Sequence, residues 1–337
     1  MEKSRTRLYL ATGQTRCFDT RGQRVSCHGQ WQDGAVRRGL EIVGPRFDVR
    51  GDVARDRLTG LEWLVQGDTF GYPLRWQEAF EVVAEANDTR LAGYTDWRLP
   101  NRRELRSLID HSARNPALPS GHPFTPVHLG WYWTSTTAAI APAYAWYVHL
   151  AGGRMFYGKK TEFCLLWPVR GDLAVLPRTG QTGCFDVAGN VLDCRGSGQD
   201  GALQQGTAWP EVRFAPREDG VLDRLTGLVW RTRAFEGGLL VDWNEALELA
   251  RSLAVDTGKR WRVPNINELE SLVDASQSRP ALPAKHPFTT TQEAYWSSTT
   301  SGFETDWAYA LYLHKGAVGV GWKPHREFAV WCVREQE

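Results

Sequence analysis

The chain has 337 residues, 42% hydrophobic and 23% charged, the balance of a water-soluble globular protein with room for two ordinary domains. A formal net charge of +1 provides no bulk attraction to nucleic acid or to a membrane surface, and no run approaches the ~20 apolar residues of a spanning helix. The opening Met1-Glu2-Lys3-Ser4-Arg5 carries no apolar signal core, which leaves open a cytoplasmic chain or one whose leader has been removed.

From the N-terminus, Cys17-Phe18-Asp19 and Val25-Ser26-Cys27 flank a turn at Gly22, which predicts a short hairpin with its two cysteines in bridging range. Trp76, Ala79, Phe80 and Val83 recur at helical spacing, predicting a helix over about 75–86. A second helix starts at Asn101-Arg102-Arg103-Glu104, a cap followed by glutamate three residues on, with Leu105, Leu108 and Ile109 as its apolar stripe. Residues 145–151 alternate in period two, with Trp146, Val148 and Leu150 on one face and Tyr147 and His149 on the other.

The same series then repeats. Thr12-Gly13-Gln14-Thr15-Arg16-Cys17-Phe18-Asp19 returns as Thr179-Gly180-Gln181-Thr182-Gly183-Cys184-Phe185-Asp186, and Gln32-Asp33-Gly34-Ala35 as Gln199-Asp200-Gly201-Ala202. Asp56-Arg57-Leu58-Thr59-Gly60-Leu61-Glu62-Trp63 returns at 223–230, Trp97-Arg98-Leu99-Pro100-Asn101 at 261–265, His122-Pro123-Phe124 at 286–288, and Tyr132-Trp133-Thr134-Ser135-Thr136-Thr137 at 295–300. The chain is a duplication, 1–172 and 173–337, each copy holding two helices and several short strands in mixed order, an α+β pattern.

Cys17/Cys27 and Cys184/Cys194 share one spacing and read as two local disulfides, which implies an oxidising compartment. Reduced thiols in a cytosolic protein are the alternative. Cys164 and Cys332 occupy non-equivalent places and read as buried free thiols, with a redox-active cysteine as the rival. Most of the sixteen tryptophans, Trp133 and Trp296 among them, belong in cores. Asp110 and Asp274 offer oxygen ligands for an ion such as calcium, but their spacing is unspecific and fits turn caps as well. Gly196-Ser197-Gly198-Gln199-Asp200-Gly201 matches a dinucleotide fingerprint by letter only, since it follows a cysteine hairpin and precedes no expected helix. No complete catalytic motif is present, and no enzyme is expected.

Thr-Gly-Leu-x-Trp, Trp-Arg-Leu-Pro-Asn-x-x-Glu-Leu, Tyr-Trp-(Ser/Thr)-Ser-Thr-Thr and a closing Val-Arg together resemble a bacterial family typified by the C-terminal domain of the Legionella collagen-like adhesin. Both copies match over nearly their whole length, the first departing at Leu166-Trp167-Pro168-Val169-Arg170, where a last strand is in question. The resemblance implies secreted, periplasmic or cell-surface proteins, often adhesins, some binding sulfated polysaccharide, with a C-type-lectin-like fold. Related domains carry a hypervariable ligand-binding face on their last strands and loops. The Arg-Leu-Pro-Asn-x-x-Glu segment is also similar to one in formylglycine-generating enzymes.

The copies differ most after the Tyr-Trp motif, at 151–160 against 314–323, where aromatics, lysines and glycines mix. This marks a candidate ligand face of Tyr147, His149, Arg154, Tyr157 and Lys159 in the first copy, and Tyr312, His314, Lys315, Trp322 and Lys323 in the second. A surface glycan or protein is the expected partner, with self-association also open, and neither nucleic acid nor membrane insertion. A structural subunit of a surface filament, pilus tip or phage fibre is the second reading, and a formylglycine-type oxidase the third.

Overall fold

The computed structural model describes residues 8–336 except 174. Each copy opens with an appendage of a two-stranded hairpin and one helical turn: β1 (Cys17–Phe18), β2 (Arg24–Val25) and α1 (Asp33–Val36). The first core follows as β3 (Phe47–Arg50), β4 (Val53–Asp56), β5 (Glu62–Leu64), α2 (Trp76–Asp88), α3 (Arg102–Ser107), β6 (Trp131–Thr137), β7 (Tyr144–His149), β8 (Met155–Lys159) and β9 (Val169–Arg170). The second copy repeats the order: β10 (Cys184–Phe185), β11 (Val191–Leu192) and α4 (Asp200–Leu203). Its core holds β12 (Phe214–Arg217), β13 (Gly220–Asp223), β14 (Leu228–Trp230), α5 (Trp243–Thr257), α6 (Ile266–Ser271), β15 (Tyr295–Thr300), β16 (Trp307–Tyr312), β17 (Ala317–Trp322) and β18 (Val333–Glu335). This is a mixed α and β architecture, repeated, with antiparallel sheets.

The two expected disulfides are present, Cys17–Cys27 and Cys184–Cys194, and Cys164 and Cys332 are free and buried. The last strand of the first copy forms but is two residues long: Val169 pairs with Trp63 and Arg170 with Glu62. One-turn helices α1 and α4, which hydrophobic periodicity does not reveal, sit at the Gln-Asp-Gly-Ala repeats, so a short helix does follow the glycines of 196–201.

The compact units do not follow the expected cut at 172/173. One unit is residues 41–207; the other joins 1–40 to 208–337. The first appendage thus packs with the second core, and the second appendage with the first core. Each appendage finds hydrogen-bond partners for its buried polar side chains on a core that precedes it or lies far beyond it in sequence, and Trp31 packs against the second core.

Within the 41–207 unit, β3-β4-β5-β9 form one antiparallel sheet, and β6, β7 and β8 pair in succession. Trp76, Trp97, Trp133, Leu64 and Leu99 fill the core against α2. The other unit has the same plan, β12-β13-β14-β18 with β15, β16 and β17, around Trp243, Trp261, Trp296, Val263 and Phe328. Ten of the sixteen tryptophans are fully buried, so the unusual tryptophan content is chiefly core. Four of them donate an indole N–H to a main-chain carbonyl at equivalent places in the two copies: Trp76 to Thr134 (2.8 Å), Trp133 to Leu74 (2.8 Å), Trp243 to Ser297 (2.7 Å) and Trp296 to Val241 (2.8 Å).

The Trp-Arg-Leu/Val-Pro-Asn-x-x-Glu repeat is also framework. Asn265 caps α6 by accepting from the Asn267 and Glu268 amides, and Glu268 accepts from the Asn265 amide in return. The Glu268 carboxylate also takes both Arg262 guanidinium nitrogens, at 2.7 and 2.6 Å, and is fully buried. Asn101, Glu104 and Arg98 repeat this in the first copy. His122 and His286 stack on Phe124 and Phe288, whose edges meet Trp167 and Trp331 at 4.8 and 4.7 Å.

Candidate functional site

Two surfaces of the repeated core have chemistry beyond packing. One is the sheet face expected to meet a ligand. The other is the strip where the appendage docks, which no reading of the sequence picked out.

The strand register splits the expected ligand face. Tyr147 pairs with Phe156 and Trp146 with Tyr157, so Tyr147 and His149 lie on one face of the sheet while Tyr157 and Lys159 lie on the other. Trp131, unanticipated, completes the first face: its ring is 4.2 Å from Tyr147 and 4.5 Å from His149. All three are half-buried, and burial pushes the Tyr147 hydroxyl up to about 12. Arg154 is exposed just before β8, its carbonyl accepting from the His149 amide. On the opposite face Tyr157 packs edge-on to Trp146 (5.3 Å) and Tyr144 (5.9 Å), and Lys159 is exposed.

In the second copy Tyr312 pairs with Ala317 and Trp307 with Trp322, so Tyr312 and Trp322 likewise point to opposite faces. Lys315 lies over Tyr312 at 5.2 Å, His314 is half-buried, and the Trp322 indole donates to Asp306 at 3.2 Å. The positions matching Trp131, Tyr147 and Phe156 are Ala294, Ala310 and Gly319, from the equivalent pairings of Trp133 with Tyr147 and Trp296 with Ala310. Phe328 fills this emptied face, 4.6 Å from Trp296 and 5.4 Å from Tyr312.

Lys323 is not a surface residue. Its side chain is fully buried, 4.1 Å from the Trp243 ring, and its ammonium donates to the carbonyls of Phe18 (3.5 Å), Asp19 (3.2 Å) and Thr305 (2.9 Å). Lys160 is its counterpart and went unnoticed in sequence: 4.0 Å from Trp76, it donates to Phe185 and Asp186 carbonyls at 3.1 Å each. Burial pulls both lysines down to about 7, against the nearby Asp19 and Asp306 for Lys323 and Asp186 for Lys160. The three carbonyls around Lys323 match the three N–H donors of an ammonium, which favours the protonated form.

These lysines belong to the docking strip. Asp33, fully buried, accepts from Thr12 (2.6 Å) in its own appendage and from Thr299 (2.7 Å) on β15. Thr299 in turn accepts from the Ile266 amide at the N-terminus of α6. The Gln14 side-chain amide bonds to both the amide and the carbonyl of Thr300, in the manner of an extra strand residue. Gln32 bonds the same way to Phe18 within the hairpin, at 2.9 Å each. A side chain at Gly34 would collide with the Arg16 carbonyl, so the helical turn reaches the hairpin only with glycine there. Every contact has its twin: Asp200 with Thr179 and Thr136 (2.7 Å each), Gln181 with Thr137 (2.7 and 2.8 Å), Gln199 with Phe185. Burial raises both aspartates to about 6, opposed by the threonine bonds.

Other expected sites resolve into structure. Asp110 and Asp274 accept from the amides and hydroxyls of Ser112 and Ser276, as turn caps. Among the described residues, no cluster of three or more His, Cys, Asp or Glu is arranged to hold a metal ion. Also among them, no helix is long and apolar enough to cross a membrane. Burial pushes the Cys164 and Cys332 thiols up to about 12.

The fold and these two surfaces define a tandem, disulfide-stapled α+β module whose repeated cores share one frame and differ on one sheet face. The family model of the Lcl C-terminal domain matches residues 52–170 and again 219–334, and the chain belongs to that family. Both matches cover the cores and leave the appendages outside. No curated protein matches the chain.

Proposed function

We propose that the chain is a binding module of the cell exterior or envelope, adhesin-like, with C-type-lectin-like cores that present the Trp131–Tyr147–His149 face to a glycan or protein ligand. The observation that carries this reading is the contrast between copies. The helix-cap and docking bonds of the frame repeat, while this face changes from three aromatic rings to Ala294, Ala310 and Tyr312. Half-buried aromatic rings stack on sugar faces and anchor protein partners, and exposed Arg154 adds a donor for sulfate or carboxylate. Two disulfides fit an oxidising compartment, and membership of the Lcl C-terminal domain family supports a surface role. Two buried thiols held protonated suit binding better than oxidase chemistry.

Array binding of the intact chain to sulfated and neutral glycans and to host surface proteins tests the reading. The Trp131→Ala/Tyr147→Ala variant is expected to lose about tenfold or more of the binding found, the worth of one or two aromatic anchors. Binding that survives this variant intact removes the face from the account.

A further inference from the structure

The appendage–core contact is heterologous: one molecule carries a donor, residues 8–40, and an acceptor on the 208–337 core, and the two surfaces are unlike. Between donor and acceptor in sequence lies the whole 41–207 unit. The other appendage, by contrast, follows its acceptor core almost directly, after Arg170. Nothing in the acceptor distinguishes the chain's own appendage from that of another copy. Thr299, Thr300, Lys323, Asn265 and Asn267 read Asp33, Gln14 and main-chain carbonyls of residues 10, 18, 19 and 38, all carried within the appendage.

The geometry points to exchange of this segment between molecules: the 8–40 appendage of one chain docks on the 208–337 core of a second copy, giving a dimer by reciprocal exchange or a head-to-tail chain. Several features support exchange over a permanent seal. The contact combines hydrogen bonds to a strand, a helix N-terminus and a lysine with packing of Trp31 and an Arg38–Glu335 ion pair, all of which the same groups reform in any copy. The hairpin is pre-folded by Cys17–Cys27, so little is left to order when it docks. Intramolecular docking keeps the advantage of effective concentration, which a rising concentration of chains offsets. A heterologous contact closes into a ring or runs on as a filament, and the monomer is merely the smallest ring.

Two full-length variants test this. In the first, Thr299→Ala/Lys323→Met spoils the acceptor and leaves the donor intact. In the second, Gln14→Ala/Asp33→Ala spoils the donor and leaves the acceptor intact. Each alone is expected to sediment as a monomer; mixed across the micromolar range, they are expected to form a 1:1 complex of twice the mass. Monomers throughout the titration overturn the inference, provided both variants keep the wild-type circular dichroism spectrum. If either does not, the wild type decides: isotopically heavy and light chains are co-refolded from urea, concentrated and read by native mass spectrometry. Mixed heavy–light dimers support exchange, and species of one isotope only overturn it. Neither readout depends on the ligand face.

Discussion

Glu268 anchors the motif by which the family is most easily seen, and its loss is calculable. Its carboxylate accepts two Arg262 bonds at 2.7 and 2.6 Å and the Asn265 amide at 2.8 Å, all away from water. The Glu268 charge holds Arg262 above its ordinary value, against burial, which lowers it. Glu268→Ala leaves a guanidinium with 5% of its side chain exposed and only part of its compensation, because Glu335 remains at 3.0 Å but is itself 27% exposed. Stranding a buried charge costs about 3–5 kcal/mol, and the surviving Glu335 contact places this variant near 3. For a unit of this size each kcal/mol shifts the midpoint by about 2–4 °C, so scanning calorimetry should show that unit melting about 6–12 °C lower. Glu268→Gln, which keeps an acceptor for the helix cap, should lose less, about 2 kcal/mol. Arg262→Met/Glu268→Met removes both charges and should recover much of the loss. A Glu268→Ala midpoint within about 2 °C of wild type, or a double variant worse than the single, refutes the stranded-charge account.

The remaining expectations concern the appendages. Cys17→Ser/Cys27→Ser should cost somewhat under about 3 kcal/mol, the chain-entropy value for so short a loop, read as the urea midpoint of the variant against the oxidised wild type. Asp33 is raised by burial to about 6, so its favourable contribution is complete below its unfolded value and lost as pH rises through 6. Relative to wild type, Asp33→Asn should therefore flatten a gain of about 3 kcal/mol on going from pH 7 to pH 4, at roughly 1.4 kcal/mol per pK unit, read as denaturant midpoints at each pH. Lys323 has the opposite sign: burial lowers it to about 7, so its contribution is present at alkaline pH and lost as pH falls through 7. Lys323→Met should remove that slope between pH 7 and 10 in the same titration. Finally, replacing residues 8–40 by a copy of 175–207 keeps the threonine, glutamine and aspartate that dock but gives up Trp31 and the Arg38–Glu335 pair, so the 208–337 transition should fall by no more than about 3 kcal/mol; a larger loss would show that the two docking strips are not interchangeable.

Much of the frame was legible because it rests on local rules. Asn101 and Asn265 announce their helices through a capping box three residues long, the alternation of 145–150 announces β7, and equal cysteine spacing announces both hairpins. What hid was everything set by contacts distant in sequence. Lys323 reads as a surface lysine because its neighbours 324–327 are exposed; the docked hairpin supplies two of the three carbonyls around its ammonium, those of Phe18 and Asp19, and Thr305 of its own core the third. Trp131 is invisible as a site residue because its partners enter from the next strand through a register that one sequence does not fix. The same register separates Tyr147 from Tyr157, which sequence proximity had joined. The pairing of each appendage with the other copy's core leaves no periodicity at all, since hydrogen bonds from threonine, glutamine and aspartate have no repeating pattern to follow.

The duplication itself sorts the residues by task. Tyr-Trp-(Ser/Thr)-Ser-Thr-Thr looks like a strand signature, yet its parts divide cleanly. The tryptophan fills the core and bonds to Leu74 or Val241; the next residue takes the indole of Trp76 or Trp243 on its carbonyl. The last two residues, Thr136-Thr137 and Thr299-Thr300, face the appendage, one through its hydroxyl to an aspartate and the other through its main chain to a glutamine. Thr-Gly-Gln-Thr and Gln-Asp-Gly-Ala, far away in sequence, are the complementary halves of that contact. Two copies free to diverge have kept both halves unchanged while Trp131, Tyr147 and Phe156 became Ala294, Ala310 and Gly319. Docking therefore constrains the strip through a set of side chains that must match one another in type, whereas the sheet face answers to nothing inside the molecule beyond filling space. A face released from internal matching, on a frame held by it, is where an external ligand has room to select.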